Sequence, residues 1–210
     1  SLEALSKGIG KEIVMLQRSD LEEDSKKLID EAEKSDIAIL VSGDPLVATT
    51  HSSLIIDAKK KDIKIKIIHS SSVFSAIAES GLQIYKFGKT ATVAYPEENY
   101  FPKTPYDVMG QNLKDGLHTL LLLDVKDDQK RYMSVKEACD IMLQLEGKEG
   151  KGIFKEHTKV VGVARLGGDT TIKYALAKDF EKINLGGPPH VMIVPGKLHF
   201  SEEEFLDSLN

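Results

Sequence analysis

The sequence predicts an α/β protein made of two α/β domains, with ligands held by loops at the ends of its strands. Three observations carry that expectation. Short apolar runs such as "DIAILV", "HTLLLL" and "HVMIV" end in small or polar residues; helical periods lie between those runs; and the segment "PEENYFPKTP", from Pro96 to Pro105, breaks the periodicity with three prolines. The break places the expected domains at 1–97 and 98–210.

In the first domain, Ser19-Asp-Leu-Glu22 has the spacing of a capping box, in which hydroxyl and carboxylate satisfy the free N–H groups of a helix start. Leu21, Leu28, Ile29 and Ala32 then fall on one helical face. Ile37–Val41 reads as a buried parallel strand, being apolar without alternation. Thr49 or Thr50 is placed to cap a helix that turns Leu54, Ile55 and Ala58 inward. Ile63–Ile68 follows as a strand; its isoleucines alternate with the lysines of "KKKDIKIK", which reads as a half-solvated strand and helix end rather than a phosphate site. His69-Ser-Ser-Ser72 opens a further helix ended by Gly81, and "KTATVAYP" supplies another strand.

The second domain begins with a helix around Tyr106–Lys114. "HTLLLLDVK" follows, a strand whose unbroken leucines imply burial on both faces. Ser134-Val-Lys-Glu137 is a second capping box, and its helix carries Val135, Ala138, Cys139 and Met142 on one side. "TKVVGVARLGG" and "PHVMIVPGK" are the remaining strands, and Ser201–Glu204 is placed to cap a last helix. The aromatic residues Tyr95, Tyr100, Phe101 and Tyr106 are expected to pack between domains first and to meet partners second.

Composition narrows the function classes. The 210 residues carry a formal charge of -5, so no general electrostatic pull toward nucleic acid or an anionic membrane exists. No run reaches the ~20 apolar residues of a membrane span. The single cysteine, Cys139, leaves no intramolecular disulfide, cannot build a thiolate metal cage, and fits a reducing cytoplasm. Its place on an apolar stripe reads as packing.

Common catalytic signatures are absent: no Walker loop, no G-x-S-x-G, no H-E-x-x-H and no G-x-G-x-x-G. The six histidines have no spacing that would gather several on one metal, so no metal is expected. What remains are small and polar residues at strand ends: "SGDPLVATTH", "HSSSVFSA", "LLDVK", "ARLGG" and "GPPHVMIV". Such ends suit a medium-sized ligand with a flat ring and a polar tail. Asp44 either accepts hydrogen bonds from such a ligand or closes an Asx or proline turn. Ser72 reads as a helix cap, and His190 as a packed or surface histidine.

Taken together, "GDPLVATTH", "IHSSSVFSAIAESGLQIYKFGKTATVAYPEENYFP", "GLHTLLLLDVK", "RYMS", "GVARLGG" and "PPHVMIVPGKLH" resemble the archaeal diphthine synthases, a branch of the tetrapyrrole (precorrin) methylase superfamily. The likeness runs from about residue 1 to 200 with its motifs in order. It implies two α/β domains with S-adenosyl-L-methionine in the cleft between them, S-adenosylhomocysteine as product, and a homodimer in the cytoplasm. It also implies methylation of the amino group of a 2-(3-amino-3-carboxypropyl)histidine on translation elongation factor 2. By matching motif positions, the methyl-donor contacts are expected at Asp44, Val47, Ser72, Val73, Leu123, Ala164 and His190. The family's opening strand and Gly-Leu-Gly-Leu loop have no counterpart before "SLEALSKGIGKEIVML"; the expectation is that the natural start is missing from this chain, the alternative being a non-catalytic remnant that binds the donor. A corrin-precursor methylase is the other alternative, opposed by "GLQIYKFGKTATVAYPEENYFP". Methyl transfer from a sulfonium needs a deprotonated amine; the residues single out no base, with Asp124 and His118 both ambiguous.

Overall fold

Contacts divide the chain into two units, residues 1–72 and 73–210. The computed structural model describes residues 2–22, 24–98, 100–126 and 129–209.

The first unit holds helices α1 (Leu2–Ile9), α2 (Arg18–Glu22), α3 (Ser25–Ala32) and α4 (Ser52–Lys60). The helix expected from Ser19 is thus two pieces, with Ser19 inside α2 rather than at a cap. Neither Thr49 nor Thr50 is the cap of α4: His51 precedes the first helical residue, and the Thr50 hydroxyl goes to Glu22 instead. Ile29 of α3 and Leu54 and Ala58 of α4 are buried, and Lys61 joins the helices through Asp30 and Glu33 at 2.6 and 2.8 Å.

The segments expected as strands, 37–41 and 63–68, run without helix or ladder, and among the described residues neither pairs with a strand. A parallel strand is buried only when neighbours take its N–H and C=O groups and layers cover its faces. Here Leu40 and Ile68 stand 55% and 72% exposed. Both segments line, with α3 and α4, a cavity of about 610 Å³.

The second unit is built on a five-stranded sheet in the order β1-β2-β7-β5-β6. Its strands are β1 (Ala91–Val93), β2 (Thr119–Leu123), β5 (Lys159–Ala164), β6 (Thr171–Leu176) and β7 (His190–Val194). A small ribbon joins β3 (Val125–Lys126) to β4 (Arg131–Tyr132). β1, which precedes residue 97, pairs in parallel with β2; the pairs β2–β7, β7–β5 and β5–β6 are antiparallel. β6 had no place in the sequence expectation, although Ile172 and Tyr174 alternate with polar neighbours as a half-buried strand should.

The leucine run of β2 behaves as expected. Leu121 and Leu123 enter one apolar cluster and Leu120 the other, with Leu122 packed against the latter, because successive side chains point to opposite faces. Helix α7 (Val135–Glu149) covers the first face through Val135, Ala138, Cys139 and Met142. Its Ser134–Glu137 capping box forms as the sequence indicates. Cys139 packs sulfur to sulfur on Met192 at 3.7 Å, and burial pushes its thiol up to about 12, which makes it a packing residue. Helix α6 (Thr104–Lys114) adds Tyr106 and Met109 to the same core. The proline-rich connector folds back through a Glu97–Tyr100 bridge, with Tyr95 and Tyr106 buried in this unit's own core and Tyr100 exposed.

The second face is closed by Ile77 and Leu82 and by Leu206 of helix α8 (Phe200–Asp207). The α8 cap is not Ser201 but His199, paired with Glu202 in a capping box. Glu202 is fully buried and is needed elsewhere, which explains the shift in register. It accepts the N–H of Gln83 at 2.8 Å, the N–H of His199 at 2.8 Å, the Nε2–H of His118 at 3.0 Å and the Lys86 ammonium. Burial opposes its ionisation, but these four donors outweigh that cost and pull its carboxyl down to about 2. His118 is also fully buried, and burial lowers its pKa. The N–H of Gly196 donates to its Nδ1 at 2.9 Å, so the neutral ring with a proton on Nε2 fits the site.

The signs of both shifts agree. A depressed carboxyl stabilises the fold above its unfolded value of 4.5 and loses that contribution as pH falls toward 2; a depressed histidine adds a penalty as pH drops below 6.5. The Glu202 shift corresponds to about 3 kcal/mol at neutral pH. Glu202→Gln is therefore expected to lower the unfolding free energy by about that amount at pH 7 and to flatten its decline between pH 4.5 and 2, read by urea titration across pH.

Candidate functional site

Two groups of the sequence-predicted residues fall at loop ends, one in each unit. In the first unit the turn after segment 37–41 bends at Gly43, whose φ of +82° is a conformation that favours glycine. Asp44 then uses its carboxylate in two ways. Oδ1 accepts the N–H of Leu46 at 2.9 Å, the Asx turn expected from Asp-Pro. Oδ2 accepts the Nδ1–H of His69 at 2.8 Å and the N–H of Ser70 at 3.2 Å. The Leu46 N–H, opposed by partial burial and joined by His69 and Ser70, holds the Asp44 carboxyl below its ordinary range. The Asp44 side chain is only 6% exposed, whereas His69 is 70% exposed. Val47 follows in the same turn, half-buried, ahead of Ala48 at a φ of +53°.

In the second unit the antiparallel register does what sequence spacing cannot show. Ala164 at the end of β5 lies opposite His190 at the start of β7. Leu122 lies opposite Val191, so Leu123 and His190 occupy the next position of the same register. Three expected contacts, far apart in sequence, thus form one row across β2, β7 and β5 at one end of the sheet. Leu123 and Ala164 are buried, leaving the backbone of their strand ends and the His190 ring as the row's polar groups.

His190 is held from one side. Its Nε2–H points at the carbonyl oxygens of Gly186 and Gly187, at 3.0 and 3.2 Å, which leaves Nδ1 as a lone-pair acceptor. That Nδ1 is buried and has no hydrogen-bond partner among the described residues. Buried acceptors of this kind are uncommon and mark a place where a ligand or water completes the set. His190 also borders a cavity of about 330 Å³ shared with Phe180, Asn184 and Gly186.

Arg165 is a residue the sequence reading passed over. At a φ of +52°, its guanidinium reaches the carbonyls of Leu185 and Gly187 at 3.0 and 2.9 Å and the Thr171 hydroxyl at 2.7 Å. It fastens the loop before β7 to the β5–β6 turn and so fixes the carbonyls that orient His190. The second residue passed over is His69, whose signal was a polar side chain directly after an apolar run.

The other expected positions are simpler. Ser72 closes the first unit; Val73 opens the short helix α5 (Val73–Ala76) and packs against the second-face core. The two ambiguous base candidates are accounted for structurally. His118 is sealed, and Asp124 accepts the N–H of Tyr95 at 2.9 Å. An S-adenosyl group offers an amino N–H, ribose hydroxyls and an ammonium as hydrogen-bond donors. Asp44 in the first unit, and in the second the Nδ1 of His190, which has no partner among the described residues, are each acceptors that fit donors of this kind.

Residues 6–172 match the family described as Tetrapyrrole (Corrin/Porphyrin) Methylases. The chain is 48% identical over 210 residues to the diphthine synthase of Methanocaldococcus jannaschii, covering 99% of this chain and 82% of that protein. It is 45% identical to a diphthine synthase of Methanococcus maripaludis, again over 210 residues and 82% of the relative. Among solved structures, a crystal structure of diphthine synthase superposes with a TM-score of 0.88 at 37% identity, covering 100% of this chain and 79% of that one.

Gly43 tests the loop geometry. A Cβ there would sit 3.2 Å from the Ser71 carbonyl oxygen, at a φ that side chains resist. Gly43→Ala is expected to cost about 1 kcal/mol and to move the His69 ring resonances in an NMR spectrum as the 69–71 loop shifts. Gly8→Ala, in α1 with open space around the added carbon, is expected to be neutral or stabilising in the same measurements.

Proposed function

We infer that this chain, which belongs to the tetrapyrrole methylase family and within it to the diphthine synthases, carries methyl-donor contacts in the loop groups described above, each considered within its own unit. The chain is a methyltransferase of diphthamide biosynthesis. The finer reading is that the donor is S-adenosyl-L-methionine, and that the acceptor is the amino group of a 2-(3-amino-3-carboxypropyl)histidine on translation elongation factor 2. The homodimer and the cytoplasmic location belong to the same reading, whereas the division at 97/98 would part β1, Ile77 and Leu82 from the sheet and core they join.

The observation that supports it from this structure is the unpartnered, buried Nδ1 of His190, standing in one row with Leu123 and Ala164. His190 would accept a hydrogen bond from the donor's amino group, and the strand ends beside it would offer backbone groups. In the first unit, Asp44 would accept from hydroxyl or ammonium, with Val47 and Ser72 as further contacts there and Val73 as one at the start of the second unit. When bound, the donor supplies a methyl carbon activated by a sulfonium, so little covalent help is asked of the protein. The work of these residues is to bind, to orient and to exclude water, an effect worth several powers of ten when the reacting atoms are held in line.

Incubation with S-adenosylmethionine and elongation factor 2 carrying the unmethylated intermediate is expected to add successive methyl increments, weighed by mass spectrometry. Methylation confined to corrin precursors would overturn the substrate assignment. Asp44→Ala is expected to weaken donor binding about tenfold or more in calorimetry with the fold retained, since hydrogen bonds to a charged partner contribute about 1.5–3 kcal/mol. Wild-type affinity in that variant would remove Asp44 from the contacts.

A further inference from the structure

The described residues contain two close histidine–carboxylate pairs, and they differ in access. His118 and Glu202 are both fully buried, with both ring nitrogens of His118 engaged. His69 and Asp44 form the open pair: the carboxylate is nearly buried, the imidazole is 70% exposed, and the bond between them is 2.8 Å. A carboxylate that accepts Nδ1–H fixes the ring orientation and its tautomer, leaving the Nε2 lone pair outward. It also stabilises the imidazolium that forms when Nε2 takes a proton. Asp44 is itself locked by the N–H groups of Leu46 and Ser70, so it holds its position while His69 changes charge.

We propose that His69, oriented by Asp44, is the proton acceptor for the substrate amine. The inference rests on the methyltransferase reading above. An alkyl ammonium has no lone pair and cannot attack a methyl carbon. The step begins with transfer of one proton from the ammonium nitrogen to Nε2 of His69, the N–H electron pair staying on the substrate nitrogen. That pair then forms the N–CH3 bond while the S–CH3 bond breaks and its electrons remain on sulfur. The imidazolium releases its proton to solvent, for which its exposure is suited, and the ring is ready for the next methylation. Histidine is the side chain whose ordinary titration lies near neutrality, which matches such a role. His69 also directly precedes Ser70–Ser72, the loop expected to meet the donor, and Asp44 is among the expected donor contacts. The proton acceptor and the donor contacts thereby share one loop cluster.

The test compares wild type, His69→Ala and His69→Gln in single-turnover methylation of elongation factor 2 bearing the unmethylated intermediate. The rate is followed across pH, with S-adenosylmethionine affinity measured by calorimetry. The expected result is a loss of about 100-fold or more in both variants at neutral pH, with donor affinity within about twofold of wild type. The variants' rates should climb steadily with pH where wild type reaches a plateau, and added imidazole should restore part of the His69→Ala rate. Loss of the hydrogen bond to the nearly buried Asp44 carboxylate should lower the unfolding temperature of His69→Ala by a few degrees with the chain still folded, too little to account for the rate loss. Unchanged rate and pH profile in His69→Ala, or a loss confined to donor affinity, overturns the proposal while leaving the methyltransferase reading intact. A loss that imidazole does not rescue and that keeps the wild-type pH profile overturns it too, assigning His69 a packing role. A wild-type protein that neither binds the donor nor transfers methyl overturns the underlying reading, and His69's role with it.

Discussion

The antiparallel register across β2, β7 and β5 decides what the second unit can present at its sheet end. Side chains alternate with period two, so a slip by one residue would exchange the faces of every strand. The leucines of β2 would then meet the wrong core, and Leu123, His190 and Ala164 would no longer share a row. Two dry faces, one sealed by α7 and the other by Ile77, Leu82 and Leu206, make that slip costly, at about 1.5–3 kcal/mol for each large apolar side chain displaced. The row is therefore positioned by the packing of residues that never face a ligand.

Carboxylates that accept several directed hydrogen bonds organise the loops around this frame. Glu202 gathers α8, Gln83, Lys86 and His118; Glu146 takes the N–H groups of Gly152 and Phe154 and the Tyr106 hydroxyl. Asp44 does the same for the loop at 69–70. In each case burial alone would raise the carboxyl pKa, and directed donors reverse the sign. Such charges serve as joints between segments distant in sequence, and they account for caps moving away from the positions local pattern suggests. The last helix illustrates this: its capping box uses Glu202, which the buried network also requires, and not Ser201.

Much of the second unit was legible from residue pattern. The unbroken leucines of β2, the Ser134–Glu137 capping box and the inward placement of Cys139 each follow from rules acting within a few residues. What the pattern could not give were pairings. The β6 strand escaped because its partner, β5, supplies the reason for its extension; the direction of the β2–β7 pair depends on chain reversal far away. In the site, motif resemblance supplied His190 and Asp44 by position, but not their bonding. That Nδ1 of His190 lacks a partner among the described residues, and that His69 leans on Asp44 25 positions away, are facts of three-dimensional contact. Arg165 escaped for the same reason, since its partners lie in the loop before β7.

Segments 37–41 and 63–68 have a consequence for handling the molecule. Their isoleucines and leucines stand partly in water and their main chains make no ladder among the described residues, so another polypeptide could pair with them. Lys64 and Lys66, exposed between Ile63, Ile65 and Ile67, oppose this, because a second copy laid alongside brings like charges together. That repulsion is long-ranged in dilute buffer and shrinks to about 10 Å at 0.1 M ionic strength. Salt, which protects many proteins from precipitation, would here loosen the guard on the sticky edge, and concentrated stocks would keep best in dilute buffer.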